Sequence, residues 1–126
     1  ASHPISILSL RFPGVNFDLS YANFPERWKD PGARLGSFWS YIDARDAAAA
    51  CRLALEAELA GHRVLNFAAS TSTMKEPTDE LIQKYIPGVK KAKKGLTGNW
   101  SGMDSSAAET LLGFKAKHTW EKYLTL

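Results

Sequence analysis

The sequence predicts an α/β fold, because strand-like segments alternate with helical ones along its 126 residues. A β-prone aromatic run, Phe38 to Ile42, leads directly into an alanine-rich helix. A nearly continuous apolar run from Pro4 to Phe12 predicts a central strand that is covered on both faces. Arg63 to Ala68 predicts another strand after the helix. The length allows one domain at most.

The helix after the aromatic run is predicted in the most detail. Asp43 is placed to cap it, because a carboxylate can accept the free N–H groups of the first turn. Asp46 adds a second negative charge where the helix dipole favours one. Arg52 and Glu56 can pair at i, i+4 on the wet face. The spacing predicts a buried stripe of Ala47, Ala50, Cys51, Ala54 and Ala57 or Glu58.

The remaining elements follow from turn and cap residues. Gly61 is the predicted stop of the alanine-rich helix. Residues 16–36 are predicted to form a long connection that is functional or mobile. Within it, Phe24 to Lys29 is predicted to form a short helix or turn. Three further helical segments are predicted. One starts at Pro77, with Leu81, Ile82 and Tyr85 inward. The next is capped by Asp104 or Ser105 and stops at Gly113, with Ala108, Leu111 and Leu112 inward, and the last runs from Trp120 to Leu124 with Thr119 as its cap.

Composition narrows the class of protein. The sequence has no apolar run long enough to cross a membrane and no signal peptide, which favours a cytoplasmic protein. A lone cysteine, Cys51, excludes an internal disulfide, and its place on the stripe predicts a buried, inert thiol. The net charge of +3 is mild. Much of it comes from one cluster, which is interpreted as a solvated face rather than an anion site: Lys90, Lys91, Lys93 and Lys94.

A self-contained set of catalytic residues is not apparent. No glycine-rich phosphate loop follows a strand, and no serine lies in a nucleophile elbow. Tyr21 is followed four residues later by Pro25 instead of lysine. His3, His62 and His118 lie too far apart in sequence to indicate a metal site. The sequence therefore predicts neither catalytic residues nor metal ligands in this chain.

Four segments, in order, resemble extended short-chain dehydrogenases/reductases, the NAD-dependent epimerases and dehydratases. Residues 7–15 resemble the "LRxxNVYGP" strand of that family. Residues 40–46 resemble the "DYIHVxD" segment, and residues 64–68 resemble the "xxxNIG" strand. Residues 104–120 resemble the closing "DxxKAxxxLGWxP" helix and tail. The similarity covers the chain from about Pro4 to Leu124.

The resemblance implies that this chain is the C-terminal, substrate-binding part of a longer enzyme. It would supply the last strands of a Rossmann sheet and a small lobe of helices and short strands. The missing N-terminal half would hold the glycine-rich loop and the Tyr-x-x-x-Lys pair that binds and uses NAD or NADP. By motif position, the nicotinamide is flanked by Phe12, Pro13, Gly14 and Val15. In the family, substrate contacts come from the loop after this strand, from the residues before "YIHV" and from the loop before the last helix. The implied substrate contacts here are Asn16, Trp39, Tyr41 and Lys94.

The departures from the family pattern bear on the substrate. Nucleotide-sugar members carry arginine just before "DYIHV", where this chain has Trp39, and Ser40 replaces the aspartate. Lys94 stands where a second arginine would fall. The implied substrate is therefore a free sugar, a sugar acid or another small carbonyl or hydroxyl compound. Trp39 could equally be packed beneath the long connection.

Two other functions remain open from the sequence. A non-catalytic relative could use the same fold to sense NAD(P) or bind a partner, and the Tyr-x-x-x-Lys pair upstream would distinguish the two. A small nucleic-acid-binding domain is disfavoured, because the lysines occupy one loop and no recognition motif is present. The isolated chain is expected to be inactive and to bind no cofactor tightly, because the phosphate loop and the proton donor are both missing from it. It is also expected to form a homo-oligomer through residues 5–12, whose apolar surfaces need cover.

Overall fold

The computed structural model describes residues 5–90 and 94–124. The described part is a mixed α/β structure with two small parallel sheets. Its strands are β1 (Ile7–Arg11), β2 (Gly14–Asn16), β3 (Tyr41–Asp43) and β4 (His62–Asn66). Its α-helices are α1 (Phe24–Trp28), α2 (Ala44–Glu56), α3 (Thr78–Tyr85) and α4 (Ser106–Leu112). Two 3₁₀ turns span Pro31–Ser37 and Trp120–Lys122.

The strands pair in parallel, in two separate ladders. In one, β1 lies beside β4, with Ile7 opposite His62 and Arg11 opposite Asn66. In the other, β2 lies beside β3. Parallel partners need a crossover connection, which α1 and the 3₁₀ turn at residues 31–37 provide between β2 and β3. The carboxyl ends of β1 and β4 consequently lie side by side.

The chain after β4 joins the two ladders. The Phe67 N–H donates to the carbonyl of Arg11 at 3.0 Å, which extends the β1 ladder. The Ala69 N–H donates to the carbonyl of Tyr41 at 2.8 Å, and the Thr73 N–H to that of Trp39 at 2.8 Å. Residues 67–73 therefore run from the first ladder along the segment that leads into β3.

Three apolar clusters hold these elements together. The first packs α2 and α4 on the strands through Ala50, Leu65, Phe67 and Ala108. The second surrounds the buried rings of Tyr21, Phe24, Tyr41 and Trp120. The third packs α3 against Trp39 and Met74 through Leu81 and Ile82. The aromatic residues of the long connection thus form core, with Phe17 exposed instead.

Helix α2 confirms its predicted cap and ion pair, but the prediction that it buries Cys51 is wrong. The Asp43 carboxylate accepts the Arg45 N–H at 2.8 Å, and Arg52 pairs with Glu56 at 2.9 Å. Cys51 is exposed, because the helix buries the side that carries Ala47 and Ala50, with Leu53 and Ala54 partly covered.

The end of α2 also differs from the prediction. The helix stops at Glu56, where the next residue is extended, and Gly61 instead turns the chain into β4 with a φ of 76°. Glycine suits that left-handed position.

The other predicted elements are present, with shifted ends. The β-prone run from Phe38 to Ile42 becomes a strand at Tyr41, because Phe38 and Trp39 have a left-handed backbone. Leu111, predicted to face inward on α4, is 38% exposed. The predicted first strand is shorter and begins at Ile7, while its expected start at Pro4 lies outside the described residues. It is not covered on both faces, since Ile7 remains 54% exposed. Asp104 accepts the Ser106 N–H at the start of α4, while Thr119 makes no side-chain cap. Lys91 and Lys93 of the basic cluster lie outside the described residues.

Within residues 5–90 and 94–124, no helix combines the length and the apolarity that crossing a membrane requires.

Candidate functional site

A cleft of about 420 Å³ lies at the carboxyl ends of β1 and β4. Three loops and one strand end meet there: the turn after β1, the segment before β3, the last residue of β4 and the loop before α4. In parallel sheets this is the edge where ligands bind, because loops from different strands converge on it. The lining residues are Pro13, Gly36, Ser37, Phe38, Ser40, Asn66, Gly102, Met103 and Asp104.

The wall before β3 has an unusual backbone. Phe38 and Trp39 are consecutive residues with positive φ, at 52° and 57°. Bulky side chains disfavour this left-handed region, and such strain clusters at ligand-binding positions. Here it is held by hydrogen bonds from the Phe38 N–H to the Leu35 carbonyl and from the Trp39 N–H to the Arg34 carbonyl.

Gly102 allows the opposite wall to approach Phe38 closely. A Cβ at this position would lie 2.0 Å from a ring carbon of Phe38 and 2.6 Å from its carbonyl oxygen. No larger residue fits without displacing backbone. The loop before α4 and the segment before β3 are therefore locked in contact, and together they fix the width of the cleft.

Two polar side chains of the wall can contact a ligand. Ser40 is 4% exposed, and its hydroxyl oxygen has no hydrogen-bond partner within the described chain. Leaving a buried hydroxyl unpaired costs about 1–3 kcal/mol, so such groups are uncommon in folded proteins. Asn66 ends β4 in the same wall, and its amide can both donate and accept.

The described lining has one charged residue. Asp104 contributes a carboxylate, and the described lining includes no lysine, arginine or histidine. Arg11 is paired with Asn66 across the ladder, but its exposed side chain is outside the lining.

The four predicted cofactor-flanking residues are adjacent but face different surroundings. Pro13 lines the cleft. Phe12 is partly buried with its ring 5.8 Å from that of Phe67, and Val15 packs against the first core cluster. Gly14 is exposed at the start of β2, with open space where a Cβ would stand. The structure thus places one of the four in the cleft wall.

The predicted substrate contacts are not gathered in the cleft. Trp39 is fully buried, donates its indole N–H to the Pro31 carbonyl at 2.9 Å, and packs in the third core cluster. Tyr41 is 1% exposed, and its hydroxyl accepts the Trp120 N–H. Asn16 is buried and donates to the Asp18 carbonyl. Lys94 is exposed and lies away from the lining. Their role in substrate binding stays a prediction.

A hydrogen-bond network outside the cleft lining fixes the buried Asp43 carboxylate. The Tyr21 hydroxyl donates to the Asp43 carboxylate at 2.6 Å, and the Arg45 guanidinium donates to both oxygens of the same carboxylate. Burial alone would raise the pKa of Asp43, yet these hydrogen bonds lower it from 3.8 to about 2. Burial raises the pKa of Tyr21 and of Tyr41 well above the usual range. Both tyrosines stay neutral hydrogen-bonding groups at physiological pH.

A second, larger cavity of about 550 Å³ adjoins the cleft through Met103 and Asp104. It lies between residues 68–70 and the start of α4. The Glu109 carboxylate and the Lys115 ammonium both line it, with their charged atoms 3.7 Å apart. Ser105, also in the lining, is occupied structurally, since its hydroxyl accepts the Ala68 N–H at 2.8 Å. This cavity extends the space available beside the cleft.

Sequence reasoning missed most residues of the cleft. It did expect contacts from the residues before β3 and from the loop before α4, without selecting Ser40, Gly102 or Asp104. Asn66 could have been found, because it ends a predicted strand and ligands bind at the carboxyl ends of parallel strands. The strained Phe38 and the close contact of Gly102 have no signal in the sequence.

Among residues 5–90 and 94–124, no group of histidine, cysteine and acidic side chains could hold a metal ion. His62 hydrogen-bonds Ser9 at 2.9 Å, and His118 contacts the Tyr123 hydroxyl. Comparison with known proteins gave no match, whether to a family model, a curated protein or a solved structure.

Proposed function

We propose that this chain is the substrate-binding portion of an NAD(P)-dependent epimerase, dehydratase or dehydrogenase of the extended short-chain dehydrogenase type. The substrate would be a sugar, a sugar acid or another small carbonyl or hydroxyl compound. In this proposal the nucleotide-binding half and the catalytic tyrosine and lysine belong to a longer parent protein. The chain contributes the wall against which substrate and nicotinamide meet.

One observation carries the proposal: the cleft combines the regions that the family resemblance assigns to ligand binding. Pro13 comes from the turn after the first strand, Ser40 from the segment before "YIHV", and Gly102 from the loop before the last helix. These residues are far apart in sequence. Their convergence at the carboxyl ends of two parallel strands supports a substrate site of the family's kind.

The cleft fits a nicotinamide ring better than a whole dinucleotide. Pro13 and Phe38 offer an apolar surface for a planar ring, whereas the described lining carries no cation for a pyrophosphate. Bound there, the nicotinamide would exchange hydride with the substrate. The residues of this chain would hold the substrate beside it and exclude water.

The test compares two proteins. The full product of the encoding reading frame is expected to contain a glycine-rich loop and a Tyr-x-x-x-Lys pair, and to bind NAD or NADP in a calorimetric titration. The 126-residue chain by itself is expected to bind neither cofactor tightly. Tight NAD(P) binding by the isolated chain, or a parent that lacks both motifs, would overturn the proposal.

The proposal also includes partners and location. The partners are the small-molecule substrate, the missing N-terminal half and a second copy of the chain, with neither nucleic acid nor membrane among them. The location is cytoplasmic, and cell fractionation tests it. Mobility-shift measurements at two salt concentrations test the exclusion of nucleic acid, because non-specific binding falls steeply with salt.

A further inference from the structure

We propose that the space between α1 and the 3₁₀ turn at residues 31–37 is an anion-binding site, in which Arg27 and Arg34 hold the phosphate group of a small molecule. The site is a cavity of about 270 Å³. Its lining shares no residue with the cleft at the strand ends, so the proposal adds a second site and goes beyond the proposed function. The lining residues are Asn23, Glu26, Arg27, Asp30, Ala33 and Arg34.

The Arg27 guanidinium is held in place by the core. It lies over the Phe24 ring, 4.5 Å from the ring centroid, and the arginine is half-buried. Phe24 is itself fully buried in the second core cluster, so the ring is a fixed support. A guanidinium that lies over an aromatic ring gains cation–π attraction, and its planar fork of N–H donors remains available to a ligand.

Arg34 reaches the same cavity from the 3₁₀ turn. Its carbonyl accepts the Trp39 N–H at 3.3 Å and the Ser37 hydroxyl at 3.1 Å, which fixes the backbone at this position. Its side chain is exposed and lines the cavity. Two elements that are separate in sequence therefore each bring one guanidinium to a single space.

The two guanidinium charges are not offset by each other or by an ion pair. Among residues 5–90 and 94–124, neither Arg27 nor Arg34 forms a salt bridge. Burial lowers the pKa of Arg27, and the nearby charge of Arg34 lowers it further. Arginine stays protonated at neutral pH all the same, so both charges persist. An anion placed between two such cations relieves their repulsion.

Two carboxylates in the lining leave this positive charge in excess. The Glu26 carboxylate accepts the Lys29 ammonium at 2.9 Å, so that pair is locally neutral. Asp30 carries its Oδ1 beside Gly32, 3.4 Å from the position that a Cβ would occupy there. One carboxylate is thus set against two guanidiniums. The cavity retains a net positive charge when the Glu26–Lys29 pair is counted as neutral.

Phosphate is the anion that this arrangement suits best. Each guanidinium can donate two parallel hydrogen bonds to the oxygens of one phosphate group. Guanidiniums from two directions match a tetrahedral group, which offers oxygens on several sides, better than a planar carboxylate. The exposed Asn23 amide adds a neutral donor to the lining. The cavity also leaves room for part of the molecule that carries the phosphate.

The experiment is an NMR titration of the ¹⁵N-labelled 126-residue chain with inorganic phosphate and, separately, with acetate, at an ionic strength held constant with sodium chloride. Phosphate is expected to shift the Arg27 and Arg34 side-chain N–H signals and the Ala33 amide to saturation, and acetate to bind more weakly. Shifts that do not saturate, that spread evenly over all arginines, or that acetate reproduces at equal concentration would overturn the proposal.

Variants test the two arginines. Arg27→Gln and Arg34→Gln are each expected to weaken phosphate binding about fivefold, the effect of one unit charge roughly 4 Å away in water. Arg52→Gln is the matched control: it removes the same charge from α2, outside the lining, where Arg52 pairs with Glu56. Melting curves identify any loss of folding, and Arg34→Gln changes an exposed side chain. Equal weakening by Arg52→Gln would reduce the effect to net charge and contradict the site.

Asp30→Asn tests the charge balance of the cavity. Removing the opposing carboxylate is expected to raise the affinity for phosphate severalfold, and an unchanged affinity would contradict the placement of the phosphate in this lining. Because these titrations use no cofactor, they are independent of the proposed function. Phosphate binding that requires Arg27 and Arg34, in a chain whose parent does not bind NAD(P), would refute the function and retain the site.

Discussion

At the scale of single residues, Asp43 combines a helix cap with hydrogen bonds that change its pKa. Its carboxylate caps α2 and accepts bonds from Arg45 and the Tyr21 hydroxyl, which lower its pKa to about 2. A lowered folded-state pKa stabilises the fold above the unfolded value of 3.8. That stabilisation disappears as the pH falls from about 4 through about 2. It amounts to roughly 1–2 kcal/mol once solvent screening at the partly exposed Arg45 is allowed for.

Asp43→Asn is therefore expected to reduce the free energy of unfolding at neutral pH and to flatten its dependence on pH below about 4. Urea denaturation at a series of pH values measures both effects. The control is Asp30→Asn, since Asp30 is exposed and makes no side-chain cap to the following 3₁₀ turn. An unchanged acid limb in the Asp43 variant would show that the network does not depend on the ionised carboxylate.

A second prediction at this scale concerns the stability effect of replacing Trp39. It is fully buried and packs against Met74, Leu81 and Ile82. Replacing a buried aromatic with alanine typically costs about 3–5 kcal/mol, so Trp39→Ala is expected to lower the melting temperature strongly. Trp39→Phe keeps most of the packing, loses the bond to the Pro31 carbonyl, and should cost much less. A stable Trp39→Ala variant with weakened ligand binding would restore Trp39 as a substrate contact.

At the scale of elements, the loop before α4 and the segment before β3 make the cleft by direct backbone contact. Gly102→Ala forces a Cβ to within 2.0 Å of the Phe38 ring and 2.6 Å of its carbonyl. Overpacking of this kind typically costs about 1–3 kcal/mol. The variant should lower the melting temperature and shift the amide resonances of Phe38 and Ser40. Gly36→Ala is the control in the same cleft, because no heavy atom lies within 4 Å of its Cβ position, and it should change little.

At the scale of the whole molecule, the first ladder leaves apolar surface uncovered. Ile5 is 78%, Ile7 54% and Val64 44% exposed. Among the described strands, β1 pairs along one edge, with β4. Exposed strand edges and apolar patches promote self-association, so the chain is expected to form a dimer or higher oligomer through residues 5–12.

Light scattering with intact-mass measurement tests this assembly. Ile7→Lys is expected to yield a monomer by placing a charge on the contact. Phe17→Lys, a matched change at a 79% exposed position in the long connection, should leave the oligomer intact. A wild-type chain that stays monomeric at high concentration would contradict the prediction.

The sequence by itself determined the local elements of this protein. The aromatic run before Asp43, the alanine stripe and the prolines predicted strands and helices at the right places, because cap residues and apolar spacing act over a few neighbouring positions. The resemblance also pointed to the regions that meet in the cleft. It did not determine which side of α2 would be buried, and the prediction for Cys51 was wrong for that reason.

Tertiary structure decided what distant residues do to one another. Asp46 shows this: the sequence explains it by the helix dipole, but its carboxylate also accepts the N–H groups of Lys117 and His118, 71 and 72 residues away. The contact of Gly102 with Phe38 and the unpaired Ser40 hydroxyl likewise arise when loops from different strands meet. Such contacts depend on how whole elements pack, and no local pattern of residue types encodes that packing.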